Sequence, residues 1–295
     1  DEPKDPETPH FIPAYSQKVK ASKEFQTFQF DHSFVLNSLK SSMEGYVFHN
    51  QPLDTDDLLE QTVKLFNSCK TSLELFGMLH NMRAYDDSTY AHSLNVALIC
   101  RRIGKWLKVD AATLDTLTLC GLLHDIGKLK IPDEILNKPD KYTDEEFDLV
   151  KRHTKFGYEL LKTLNIDPHI KKAALLHHER CDGSGYPLKA TQKDLDDFSM
   201  VVAIADVYDA MTAARSYRAP LCPFQVIERF EQEGLQKYNP KFILTFLQHI
   251  ASTYQNNRVL LSNGQSANIV MLNQQHLARP IVQLNDNSCI DLSTR

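Results

Sequence analysis

The chain has 295 residues, 42% of them hydrophobic, with a formal net charge of -5 and no Lys/Arg run. This length and apolar content support one large core or two modest ones and exclude a disordered chain. The charge excludes general DNA or RNA binding, although a small basic pocket could still hold a compact anion.

No apolar run approaches the roughly 18 to 20 residues that cross a bilayer, so no membrane segment is expected. Cysteines at 69, 100, 120, 181, 222 and 289 show neither zinc-finger nor disulfide spacing, which points to a reducing, cytoplasmic setting. The chain starts at Asp1 without an initiating methionine, a basic region or an apolar signal core, which predicts a piece of a longer protein. Residues 1–53 open with four prolines in the first thirteen positions and continue through Phe25, Phe28, Phe30 and Phe34; no fold is assigned, and the region is expected to be partial or a linker.

Asp54 or Thr55 caps a predicted helix over about 56–82, where Leu58, Leu59, Thr62, Leu65, Phe66, Cys69, Leu73, Phe76 and Leu79 recur near a helical period. A second helix, about 89–107, turns His92 inward with Val96, Ile99, Ile103 and Trp106; a histidine in such company is most often a satisfied core residue. Asp110 caps the next helix, which runs through Leu114, Leu117, Cys120, Leu122 and Leu123 into His124-Asp125-Ile126-Gly127-Lys128, with Gly127 expected in the left-handed C-terminal position. Side chains such as His124 and Asp125 are costly to bury after an apolar run unless paired or metal-bound.

Thr143-Asp-Glu-Glu146 reads as a capping box opening one helix to about Leu161, which carries His153. Asp167-Pro168 caps the helix that delivers His177-His178 at its end. Neighbouring helical residues diverge by about 100°, so this pair suits two ions, or an ion and a bridging ligand, better than one chelate. The stretch continues as Glu179-Arg180-Cys181-Asp182-Gly183-Ser184-Gly185-Tyr186-Pro187, where Gly183 and Gly185 would allow close backbone approach to a bound group. A helix over about 199–213 presents Asp206 and Asp209 one turn apart after Val201, Val202, Ile204 and Ala205. Arg215, Tyr217 and Arg218 then offer cations and an aromatic ring for phosphate or purine, or simply form a surface loop. Helices over about 224–233 and 240–254 follow; Asn263-Gly264 then signals a hairpin over about 258–272, with one or two more strands over 280–292.

The candidate ligands His92, His124, Asp125, His153, His177, His178 and Asp206 come from five predicted helices. Nitrogen and carboxylate donors without cysteine fit iron or manganese better than structural zinc, and Asp125 could bridge two ions. A general base contributes about 10²- to 10⁴-fold, whereas metal binding lowers a water pKa from about 15.7 to about 7, a bias of roughly 12 kcal/mol toward hydroxide. Lys128 lies one turn beyond His124, within reach of an oxygen bound at such a pair.

Over about Tyr85 to Tyr254 the chain resembles the HD-GYP phosphodiesterases of bacterial cyclic-dinucleotide signalling. The resemblance rests on His92-Ser93, His124-Asp125-x-x-Lys128, Ile131-Pro132-Asp133, Lys138-Pro139, Thr143-x-Glu145-Glu146 and His153-x-x-x-Gly157. It continues through His177-His178-Glu179, Asp182-Gly183-x-Gly185-Tyr186-Pro187 and Asp206-x-x-Asp209-Ala210. It implies a mainly α fold, an HD-type helical bundle; with the predicted lead-in helix this domain is expected over 54–255, and the predicted strands make a small C-terminal β appendage over 256–295. It also implies two divalent ions on His92, His124, Asp125, His153, His177, His178 and Asp206, with Asp125 bridging and Lys128 on the scissile phosphate. Asp182, Gly185, Tyr186, Pro187, Arg215 and Arg218 would border the nucleotide.

The implied reaction is hydrolysis of a 3',5'-cyclic dinucleotide by a metal-activated water, giving linear dinucleotide and then mononucleotides. The implied substrates are cyclic di-GMP and 3'3'-cyclic GMP-AMP, and a second copy or a signalling protein is the expected protein partner. The sequence departs from the family at Ser88, where members with a third metal carry glutamate, at Ala214 and Ser216, and at Tyr238-Asn239-Pro240. A non-catalytic nucleotide sensor and an HD-type hydrolase of a mononucleotide or alarmone are the competing expectations.

Overall fold

The structure is a computed structural model that describes residues 19–82, 88–138, 140–213 and 221–294. The N-terminal region, left without a fold by its sequence, contributes a long helix, α1 (Lys23–His49), capped by the Ser22 side chain on the Phe25 amide. Phe25, Phe28, Val35, Leu39 and Met43 bury one face of it, and His32 reaches Asn95 at 3.3 Å. The α1 helix is therefore part of the main core.

The predicted helix over 56–82 divides into α2 (Thr55–Ser68) and α3 (Ser72–Met82). Cys69 turns extended, and the Glu74 carboxylate accepts the Lys70 and Thr71 amides while Thr71 accepts the Glu74 amide. That reciprocal cap stops one helix and starts the next.

Helices α4 (Thr89–Trp106) and α5 (Ala111–Leu123) form the central pair. They cross closely because Gly121 has no side chain: a Cβ there would lie 2.5 Å from the Ala97 Cα. The Asp110 cap on α5 forms as predicted, accepting the Thr113 amide. Beyond α5 the chain tightens into a 3-10 turn, Ile126–Lys130, followed by the short α6 (Asp133–Leu136). Gly127 departs from expectation, since the left-handed glycines of the described residues are Gly183 and Gly264. Its role is close approach: a Cβ would meet the His153 carbonyl oxygen at 1.9 Å and the Gly157 amide nitrogen at 2.4 Å.

The single helix expected over 143–161 is split into α7 (Asp144–Lys151) and α8 (His153–Leu161), with the predicted Thr143/Glu146 capping box in place. The His153 ring takes the Val150 carbonyl as its own partner at 2.6 Å, at the break between the two helices. Helices α9 (Pro168–Leu176), α10 (Asp197–Thr212), α11 (Pro223–Glu233) and α12 (Pro240–Thr253) complete the bundle. Asp167, Asp196 and Asn239 cap α9, α10 and α12.

An antiparallel meander follows, β1 (Arg258–Leu260), β2 (Ser266–Met271), β3 (Ile281–Leu284) and β4 (Cys289–Asp291), in spatial order β1-β2-β3-β4. Gly264 at φ +84 supports the first hairpin. Ala267, Ile269 and Val282 make a small core of its own, packed against Phe224 and Tyr254. Arg279 pairs with Glu228 at 2.5 Å, and Glu231 accepts the Leu277 amide, which ties the sheet to α11. Among the described residues no helix is long and apolar enough to cross a membrane.

Candidate metal centre

Five helices converge at one end of the central pair and bring the seven candidate ligands together: His92 on α4, His124 and Asp125 at the end of α5, His153 at the start of α8, His177 and His178 at the end of α9, and Asp206 on α10. The Asp125 carboxylate is the hub. Its Oδ2 lies 3.3 Å from His124 Nε2, 3.6 Å from His92 Nε2 and 2.5 Å from Lys128 Nζ. Its Oδ1 lies 3.3 Å from His153 Nε2 and 3.7 Å from His177 Nε2. Asp206 sits 3.1 Å from His92 Nε2 and 3.7 Å from His178 Nδ1.

Backbone carbonyls orient three of the rings. His124 Nδ1 faces Gly121 O at 2.7 Å, His153 Nδ1 faces Val150 O at 2.6 Å, and His177 Nδ1 faces Ala173 O at 2.9 Å. A carbonyl can only accept, so in each neutral ring Nδ1 carries the proton and Nε2 presents a lone pair to the centre. Burial holds the His153 imidazolium down to about 3 and lowers His177 as well, so both rings are neutral near pH 7. Burial and the neighbouring His177 push His178 well below the ordinary histidine range.

The arrangement is acceptor-rich. His153 Nε2 and His177 Nε2 stand 3.2 Å apart beside a carboxylate oxygen, and the buried His124 Nε2 and Asp125 Oδ1 have no hydrogen-bond partner among the described residues. Buried acceptors facing one another are unfavourable without a donor or a cation between them. Two donor groups could each hold an ion: His92, His124 and Asp125, and Asp125, His153, His177 and His178, with Asp125 common to both. The donor chemistry, imidazole nitrogen and carboxylate oxygen, fits a first-row transition metal. Although burial opposes ionisation, Lys128 and His124 hold the Asp125 carboxyl well below its usual range, and the His92 hydrogen bond does the same for Asp206.

Asp209, quoted in the sequence motif without a role, has a place here: its Oδ2 lies 2.8 Å from His92 Nδ1. Its three-residue spacing from Asp206, which puts both carboxylates on one face of α10, was the available signal. Glu179 was also passed over. It is buried and accepts the Leu188 amide at 2.6 Å and the Ala190 amide at 3.0 Å, anchoring the loop after the histidine pair.

That loop folds back on its own chain. A Cβ on Gly185 would overlap the Glu179 Cα at 2.4 Å and the His178 carbonyl oxygen at 2.5 Å, so the loop needs a glycine where it meets its own chain. Tyr186 consequently stacks on His178, with ring centroids 4.7 Å apart and planes at 28°, and leads through a cis bond into Pro187. Asp182 is exposed; its carboxylate accepts the Ser184 amide and hydroxyl within the loop, and no contact joins it to the histidines among the described residues. Arg215 and Arg218 lie outside the described residues.

The HD domain family matches residues 57–242. Over 207 residues the chain is 32% identical to a cyclic di-GMP phosphodiesterase of Pseudomonas aeruginosa, covering 70% of this chain and 50% of the relative. It is 34% identical over 183 residues to a 3'3'-cGAMP-specific phosphodiesterase of Vibrio cholerae, covering 61% and 35%. It is 35% identical over 178 residues to a cyclic di-GMP phosphodiesterase of Thermotoga maritima, covering 59% and 48%. The chain thus spans about a third to a half of the length of these relatives. An HDG"Y"P protein from Bdellovibrio bacteriovorus superposes with a TM-score of 0.62 at 18% identity, over 79% of this chain and 74% of that one, a likeness of fold.

Proposed function

The chain belongs to the HD domain family, whose match covers residues 57–242, and on that premise we propose that it is a metal-dependent phosphodiesterase of 3',5'-cyclic dinucleotides. Cyclic di-GMP and 3'3'-cyclic GMP-AMP, the substrates named for its relatives, are the proposed class, with linear dinucleotide as the first product. The carrying observation is the pair of facing Nε2 atoms of His153 and His177, both held neutral by burial, beside Asp125. Such a cluster is stabilised by cations.

In this reading His92, His124 and Asp125 hold one ion, and Asp125, His153, His177 and His178 hold a second, with Asp206 completing the set beside His92 and His178. Iron or manganese best fits the donors. Bound there, the ions would supply Lewis-acid polarisation of the phosphate and a water acidified to about pKa 7. The chain's own residues do the positioning. The Gly121, Val150 and Ala173 carbonyls fix three imidazole rings, whose Nε2 lone pairs need no reorganisation, and Asp209 holds His92 in place. Lys128 supplies its ammonium to the phosphate. Tyr186, held on His178, borders the nucleotide together with Gly185 and Pro187, and Asp182, Arg215 and Arg218 complete the proposed border.

Residues 54–255 are proposed as the catalytic unit, with 256–295 as an appendage. Six cysteines without a disulfide support a reducing, cytoplasmic setting. Incubating metal-defined protein with cyclic di-GMP, 3'3'-cyclic GMP-AMP and cyclic di-AMP, and resolving the products by chromatography, tests both activity and base choice. His124→Ala and Asp125→Ala, folded by circular dichroism, are expected to lose metal and turnover together; cleavage at the parent rate would sink the reading.

A further inference from the structure

The capping box at Thr143 and Glu146 starts α7 with Glu146 also bound by Lys138 at 2.7 and 2.9 Å, so the first turn of this short helix is held from two sides. Val150 turns into the core, whereas Phe147, one turn earlier, is left 45% exposed. A single exposed phenylalanine is ordinary. The surroundings of this one are not: its ring meets Tyr186 edge-to-face, with centroids 6.4 Å apart and planes at 76°. Tyr186 in turn stacks on His178, and His178 contacts the His153 ring at 5.1 Å. A continuous line of rings therefore leads from the candidate metal ligands to an exposed aromatic face. Lys151 Nζ lies 4.8 Å from the Phe147 centroid and pairs with Asp148.

We propose that Phe147 and Tyr186 form the corner of a nucleobase subsite, in which one base of the substrate stacks while its phosphate sits at the metal centre. This rests on the cyclic-dinucleotide reading above and names a residue that carries its binding. The perpendicular rings offer a face and an edge to one flat heterocycle, and aromatic faces accept any base because each has a π-surface. Stacking of this kind gives affinity for a base without choosing between guanine and adenine.

The test compares the parent with Phe147→Ala and Phe147→Tyr, using cyclic di-GMP, 3'3'-cyclic GMP-AMP and methyl p-nitrophenyl phosphate, a diester that carries no nucleobase. Phe147→Ala is expected to raise KM for a cleaved cyclic dinucleotide about 5- to 150-fold, the ~1 to 3 kcal/mol of one base stack at 1.4 kcal/mol per tenfold. Its kcat, metal content and rate on the baseless diester are expected to stay at parent values, and Phe147→Tyr to restore KM. An unchanged KM in Phe147→Ala, with the parent active on cyclic dinucleotides, overturns the subsite while leaving the function intact. Equal loss on both kinds of diester also overturns it, since the side chain would then act on the metal centre. A metal-loaded parent that cleaves no cyclic dinucleotide removes the functional reading itself.

Discussion

Burial by itself would push the His92 imidazolium down, yet its hydrogen bonds to Asp206 and Asp209 outweigh that and raise it to about 9. In the metal-free protein His92 is thus protonated at pH 7, whereas a ligand must present a neutral Nε2. Metal binding at His92 therefore displaces a proton, and affinity should rise with pH, about tenfold per unit between pH 7 and 8, levelling above about 9. Calorimetric titration with Mn²⁺ in two buffers of different ionisation enthalpy is expected to show about one proton released at pH 7, and less in Asp209→Asn, where one of the two carboxylates is gone. No proton release in the parent would contradict the His92 assignment. His153, held near 3, is already neutral and should add nothing to the count. The sequence singled out the seven candidate ligands by motif and spacing. It could not show which way each ring turns, because Gly121, Val150 and Ala173 accept through backbone oxygens that carry no side-chain signature.

At the scale of elements, two glycines set how closely the ligand-bearing helices approach. Gly121 lets α5 lie on α4, and Gly127 lets the 3-10 turn lie on α8, which brings Asp125 within 3.3 Å of His153. Gly127→Ala would force a Cβ into the His153 carbonyl, a backbone atom that cannot swing aside. Overpacking of this kind costs about 1 to 3 kcal/mol, so a lower melting temperature and weaker metal binding are expected together. Gly157→Ala is the contrast: its Cβ would first meet the Ala174 methyl at 3.4 Å, an ordinary contact, and should be close to neutral in a thermal melt. Similar losses in both variants would show that the close approach is not what matters. Helix starts were readable because a cap is a local chemical event, as at Asp110, Thr143 and Asp167. The breaks at Cys69 and Arg152 were not, since apolar periodicity runs through them and the side chains that stop the helix, Glu74 and His153, act from beyond the break.

For the whole molecule the decisive element is α1, which lies wholly outside the matched family segment and yet buries Phe25, Phe28, Val35, Leu39 and Met43 in the common core. At about 1.5 to 3 kcal/mol per fully buried apolar side chain, these five carry on the order of 7 to 15 kcal/mol, comparable to the whole stability of a domain. Deleting residues 1–51 is therefore expected to abolish cooperative unfolding or to lower the melting temperature drastically. A truncated protein that melts like the parent would restore the view of this region as a linker. Here lies the division between sequence and structure. By itself the sequence determined the helical class, the caps at Asp110, Thr143 and Asp167, the Asn263-Gly264 hairpin and the identity of the candidate ligands, because propensity, capping and donor chemistry are properties of residues and their near neighbours. Only the tertiary structure decided that α1 joins the core, that Gly127 and Gly185 serve close chain packing, and that Asp209 and Tyr186 brace His92 and His178. Those outcomes depend on which surfaces meet across distant parts of the chain, and contact between distant surfaces leaves no period or spacing in the sequence to read.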